Sequence, residues 1–292
     1  MLHTIENDRL TITVSDHGAE LVSIYDKKND REVLWQADPA FWKRHSPILF
    51  PNVGRHFGNH YRINEKEYPS GQHGFARDTE FSFSGNTGTS VAHTLCSSPE
   101  TKENYPFDFE LQITHVLEGN KVRVCWKVIN TGKERMYFTI GGHPAFNVPV
   151  LADTEYSDYS LTFDGQESLD YLLIDMGSGT AVKDQVHKLE LTDGTHALDE
   201  HMFDKDALIF DNWQIARAGI AMPDGTPYLE LSCEGFPSFG IWSVPGAPFV
   251  CLEPWMGRCD DFQFKGTLEE KEYINTLDAG GIFEKSYSIQ IF

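Results

Sequence analysis

Four short segments, FPNVGRHFG, QHGFAR, GGHPAFNVP and LEPWMG, place ionisable or aromatic side chains beside chain-bending glycine or proline, the setting in which loops and strand ends carry function. In the third, Pro144 pushes His143 toward extended backbone at a strand end, where the imidazole could face a cleft. A hydrogen bond to a loop carbonyl is the competing role for a lone histidine. Glu253 stands between the apolar run Phe249–Leu252 and the rigid pair Pro254–Trp255. Burial there would raise its carboxyl toward the range useful for proton abstraction near neutrality, whereas pairing with Arg258 would make it structural. Arg55 and His73 sit on glycine-bent loops and could donate to a polyhydroxyl ligand or a developing alkoxide, with Arg77 adding a second positive charge. Carboxylate partners are the alternative in so acidic a chain.

Trp242, Trp255 and Phe146 could offer apolar faces to a ring, or simply fill a core. Asp204, Asp206 and Asp211 crowd into MFDKDALIFDN, where one could turn into a cleft while the others cap turns or meet solvent; Asp206 is taken as the binding candidate. His56 and His60 have a metal-pair spacing only if helical, and Gly58 and Asn59 between them argue for a solvated loop, so no metal is expected. There is no glycine-rich phosphate loop and no GxSxG elbow, which leaves nucleotide-driven and serine-hydrolase chemistry without support.

The elements that must position these residues read as strands. Val122, Val124, Trp126 and Val128 alternate with Lys121, Arg123, Cys125 and Lys127, as one half-buried strand requires. Phe81 with Phe83, Leu229 with Leu231 and Cys233, and Ile289 with Ile291 repeat the pattern. Gly119-Asn120, Asp164-Gly165, Asp193-Gly194 and Asp224-Gly225 supply turns. Helical pattern is confined to two short candidates, Asp38–Lys43 with its cap and Pro39, and a stretch around Leu198–Ala207. Strands without alternating helices, and no linker or repeat, predict an all-β fold: one large antiparallel β-sandwich over residues 1–292 with one or two short helices.

Composition narrows the partners. With 24 Lys+Arg against 44 Asp+Glu the net charge is −20, a field that repels nucleic-acid phosphates and anionic lipid headgroups. Five cysteines, an odd number without CxxC spacing, predict reduced thiols and a cytoplasmic location. The opening MLHTIENDRL lacks a leader pattern, and no run of apolar residues is long enough to span a bilayer.

Taken in order, LFPNVGR, HGFAR, GGHPAFNVP and CLEPWMG resemble the motif series of the aldose 1-epimerase (galactose mutarotase-like) superfamily, especially its LacX-like branch, and the opening segment ENDRLTITVSDHGAELVSIYDKKNDREVLW is similar as well. The resemblance implies a large β-sandwich and cofactor-free interconversion of α and β aldohexose anomers by ring opening and reclosure. It assigns Glu253 as the base at O1 and His143 as the acid at O5, with Arg55 and His73 positioning the sugar. An ionised carboxylate and a protonated imidazole on opposite edges of one hexose are the expected starting state. HGFAR also resembles the hexose-6-phosphate mutarotase branch, where paired arginines hold a phosphate, a role open to Arg55 and Arg77. A free hexose ranks first because the chain is acidic and shows no basic cluster. A non-catalytic carbohydrate-binding sandwich and a glycoside hydrolase are the alternatives from other classes, the latter lacking an evident second carboxylate. A monomer or homodimer acting on a small sugar is expected.

Overall fold

The computed structural model describes residues 1–292. Two large sheets dominate it. One has nine strands in the order Thr195–Ala197, Ser160–Phe163, Arg217–Ala221, Pro227–Ser232, Ile282–Ile291, Lys121–Asn130, Phe109–Glu118, Ser90–Cys96 and Ser82–Asn86. The other has eight. Its path runs Thr180–Glu190, Ser168–Asp175, Leu208–Phe210, Ser238–Trp242, Phe249–Met256, Ile140–Gly142 and Ile48–Leu49, with Ala145–Asn147 also on Phe249–Met256. A four-stranded sheet, Leu2–Glu6, Leu10–Ser15, Leu21–Asp26 and Arg31–Glu32, packs alongside. Neighbouring strands pair antiparallel, as short turns between them require. The architecture is the expected β-sandwich.

Lys121–Asn130 carries the alternation read from its sequence. Val122, Val124, Trp126 and Val128 are buried in the main core, while Arg123, Cys125 and Lys127 line the other, part-exposed face. Leu229, Leu231, Cys233, Ile289 and Ile291 join the same core. Phe81 and Phe83 do not share a face as expected. The strand begins only at Ser82 and its register shifts beyond Phe83, so Phe81 is buried and Phe83 lies exposed.

Neither helix candidate forms. Asp38 caps the Ala40 N–H and accepts from Phe41 and Trp42 through its carbonyl, which closes a single turn that then breaks toward Pro47. The stretch 198–207 is a series of turns. The one α-helix, Pro99–Asn104, was not anticipated; Ser98 and Thr101 form its reciprocal capping box, with Pro99 in the first turn.

Candidate active site

Phe249–Met256 is the strand that assembles the site. Its partner chain segment is interrupted: Gly141 pairs with Trp255 and Ala145 pairs with Cys251, leaving His143 and Pro144 between the two paired pieces. Pro144 has no N–H to continue the ladder, so its carbonyl alone bonds across, to the Leu252 N–H. The break frees the His143 side chain to meet Glu253 on the same wall. The His143 backbone N–H is held by the Pro47 carbonyl at 3.1 Å. Its ring stacks on Trp42 at 4.8 Å and meets Trp242 and His73 edge-on, each at 5.6 Å. Rotation of the imidazole is thereby blocked on three sides.

His143 Nε2 lies 3.4 Å from Glu253 Oε2, both side chains are buried, and that oxygen has no hydrogen-bond donor. This differs from the expected arrangement. The two groups stand side by side, not on opposite edges of a ring-sized gap. Their electrostatics differ as well: burial, reinforced by the Asp206 charge, pushes the Glu253 carboxyl well up, and burial with Arg77 nearby pushes His143 down to about 3. Desolvation disfavours the charged form of both groups, so a carboxylate facing an imidazolium is not the resting state. Glu253 does not pair with Arg258, whose guanidinium is taken by Asp211, Asp261 and Glu272.

Glycines shape the floor beneath the pair. A Cβ on Gly240 would overlap the Trp255 ring, and one on Gly141 would come within 2.5 Å of it, so these two neighbours let the indole lie flat across the sheet. The GG of GGHP is thus half explained by Trp255. Gly142 is the other half, since a Cβ there would strike the Tyr287 hydroxyl at 2.7 Å.

The pair opens into a cleft of about 870 Å³ lined also by Trp42, Arg55, His73, Arg77, Asp206, Trp242 and Trp255. His73 has a left-handed backbone (φ 66) and is locked to Gly54 by two bonds: its N–H donates to the Gly54 carbonyl at 2.8 Å, and its Nδ1 accepts the Gly54 N–H at 3.0 Å. An accepting Nδ1 leaves Nε2 as the protonated nitrogen, and burial with the nearby His143 and arginines holds the ring neutral. His73 is therefore fixed as a donor. Arg55 packs over Gly179 and donates to Asn59 at 3.0 Å and Gln72 at 3.3 Å. Its loop rests on a buried network in which Asp260 accepts from the Phe57 N–H and from Lys271, and contacts His56. His56 is buried there, not solvated as expected, because Asp260 supplies its partner.

Of the three aspartates only Asp206 reaches the cleft. Its positive φ of 72 turns it inward, while Asp204 pairs with exposed His201 and Asp211 is consumed by Arg258 and Ser238. Phe146 lies in the core, away from the cleft. Lys43, Arg44 and Gln72 line the cleft and were missed. Arg44 and Arg77 both approach Asp78, and burial together with Arg44 lowers Arg77 to about 10. The shared Asp78 carboxylate partly offsets the cost of burying one guanidinium beside another.

A family model described as aldose 1-epimerase matches residues 1–251. The chain is similar to the plasmid form of protein LacX from Lactococcus lactis subsp. lactis, 32% identical in an alignment of 301 positions, gaps included, that covers 98% of each chain. Among solved structures it resembles a galactose mutarotase related enzyme from Lactobacillus acidophilus, with a TM-score of 0.94 and 32% identity over 100% of this chain and 97% of that one. A galactose mutarotase-like protein from Lactobacillus casei ATCC 334 gives a TM-score of 0.91 and 31% identity over 100% of both chains.

Proposed function

The chain belongs to the aldose 1-epimerase family and is a mutarotase-type isomerase, and from that premise we propose that Glu253 and His143 interconvert the α and β anomers of an aldohexose without a cofactor. The observation that carries this reading is the 3.4 Å separation of His143 Nε2 and Glu253 Oε2 on the cleft wall. O1 and O5 are both bonded to C1, so the two proton carriers that serve them belong side by side.

The pair shares one proton, and both of its arrangements are used. With a pyranose bound, ionised Glu253 removes the O1 proton while protonated His143 gives its proton to O5. The C1–O5 bond breaks, its electron pair stays on O5, and a C1=O1 carbonyl forms. Glu253 is then the neutral acid and His143 the neutral base, the arrangement that burial favours. After rotation about C1–C2, O5 attacks the other carbonyl face, its proton returns to His143, and the Glu253 proton goes to O1. His73 Nε2–H and Arg55 donate to sugar oxygens, Asp206 accepts from a hydroxyl, and Trp255 supplies an apolar face.

Freshly dissolved α-D-glucose and α-D-galactose, followed by polarimetry, test the assignment. Glu253→Gln and His143→Asn should each slow anomer exchange by roughly 10²–10⁴ while the sugar still binds. Full activity in either variant would refute the role given to that residue.

A second substrate reading is favoured by a specific observation. Lys43, Arg44, Arg55 and Arg77 all line the cleft, which removes the argument that the chain offers no basic cluster. A hexose 6-phosphate would add a second anion beside Asp78 for Arg44 and Arg77 to hold. Running the same assay with hexose 6-phosphates discriminates the two.

The reading takes residues 1–292 as one domain, since both large sheets draw strands from early and late in the chain. It places the site within a single copy, as monomer or homodimer. All five cysteines are free, which supports a reducing, cytoplasmic location. No helix is long and apolar enough to cross a membrane.

A further inference from the structure

Outside the cleft, three potential metal ligands converge where the four-stranded sheet meets the nine-stranded one. His3 lies on Leu2–Glu6, Asp16 directly follows Leu10–Ser15, and His93 lies on Ser90–Cys96. His3 Nε2 is 2.6 Å from Asp16 Oδ1, and His93 Nε2 is 3.1 Å from the same oxygen. The three donor atoms all fall within 4.8 Å of one another. The other carboxylate oxygen, Oδ2, is turned to the Met1 nitrogen at 3.0 Å, so Oδ1 is left to the two imidazoles.

We propose that His3, Asp16 and His93 form a binding site for a divalent transition-metal ion, of which Zn²⁺ suits the donor set best. Two imidazole nitrogens and one carboxylate oxygen are borderline ligands that favour Zn²⁺ over Mg²⁺ or Ca²⁺, which take oxygen shells. Three protein ligands leave the fourth tetrahedral position to water, and the side chains of His3 and Asp16, 13% and 16% exposed, give that water access. The His3 ring is already oriented, stacked on Phe83 with centroids 4.0 Å apart and planes within 6°. Binding displaces no net proton from neutral imidazoles, since each ring moves its hydrogen from Nε2 to Nδ1 as Nε2 takes the metal.

That shift bears on an otherwise unexplained feature. His93 Nδ1 is buried without a hydrogen-bond partner, and so is Nδ1 of His115 on the adjoining strand Phe109–Glu118. In the register Ile113 opposes His93 and His115 opposes Val91, so the two histidines are diagonal neighbours on the core face. A metal-bound His93 carries a proton on Nδ1 and so brings a donor to the face where His115 Nδ1 has no partner. The ion would tie the strands Leu2–Glu6 and Leu10–Ser15 to the nine-stranded sheet, away from His143 and Glu253.

The experiment uses the full chain, stripped with a chelator, titrated with Zn²⁺ by calorimetry and with Co²⁺ by visible absorption. One equivalent should bind, the cobalt spectrum should be that of a four-coordinate nitrogen and oxygen site without thiolate-to-metal charge transfer, and the thermal midpoint should rise. His3→Gln, at the sheet periphery, and Asp16→Asn should weaken binding at least ten-fold while circular dichroism reports an unchanged fold. Absence of stoichiometric binding would overturn the proposal. So would undiminished affinity in His3→Gln, and so would a thiolate band with loss of anomer exchange, which would put the ion at His143, Cys251 and Glu253 instead.

Discussion

Glu253 and His143 are pushed in opposite directions by the same cause, and the sign of each push has a measurable result. Glu253 is raised above its ordinary 4.5, so its contribution to stability is complete below 4.5 and drains away as pH climbs toward the folded value. His143 is depressed from 6.5 to about 3, so its contribution is complete above 6.5 and drains away as pH falls toward 3. Below 4.5 only the His143 slope acts, at up to about 1.4 kcal/mol per pH unit; above 4.5 the Glu253 slope sets in with the opposite sign. Glu253→Gln abolishes the loss on the alkaline side. Urea denaturation from about pH 5 to about pH 8 should show the variant gaining on the parent by up to about 1.4 kcal/mol per unit, and parallel curves would contradict the burial cost. At this scale much was legible. An apolar run on one side and Pro-Trp on the other marked Glu253 for burial, and Pro144 marked His143 for extended backbone at a strand end. Arg44 was not legible, because its place in the cleft depends on Asp78, a partner thirty-four residues away that local pattern does not specify.

The interrupted strand, the glycines and the Arg55 loop act as elements. Gly240→Ala, which adds one methyl group against the Trp255 ring, should cost about 1–3 kcal/mol by overpacking and raise the KM for sugar as the indole shifts. Thermal denaturation and substrate titration together check this. A stable variant with unchanged KM would show that the flat indole is not needed for binding. Elements were read well where period-two alternation is long, as in Lys121–Asn130, and poorly where a cap was taken for a helix. Asp38 does cap, but the chain that follows is recruited to the cleft by Trp42 packing on His143, and long-range contact overrides a single favourable turn. The true helix, Pro99–Asn104, buries none of its residues and so has no apolar stripe to find.

On the scale of the whole molecule, the net charge of −20 and the four cleft cations pull an anionic substrate in opposite senses. Screening decides between them, since at physiological salt the Debye length is about 8 Å and remote surface carboxylates fade while cleft contacts remain. Arg44→Gln or Arg77→Gln should therefore raise the ratio of KM for a hexose 6-phosphate to KM for the free hexose by about 10- to 100-fold, with the effect persisting at that ionic strength. An equal change for both sugars would remove the phosphate reading. Topology makes a further demand: Ile282–Ile291 sits between Pro227–Ser232 and Lys121–Asn130 near the middle of the nine-stranded sheet. Deleting 282–292 should abolish cooperative unfolding, as followed by circular dichroism, whereas a sharp transition in the shortened chain would show that the sheet halves hold without it.

That central strand also sets a schedule. A ribosome makes the flanking strands first and the one that joins them last, so through most of synthesis each half sheet presents an open edge to its surroundings. The nascent chain must keep those edges from pairing with neighbours on the same message until Ile282–Ile291 has left the exit tunnel. The net charge of −20 would serve it during that wait, by making nascent copies repel one another.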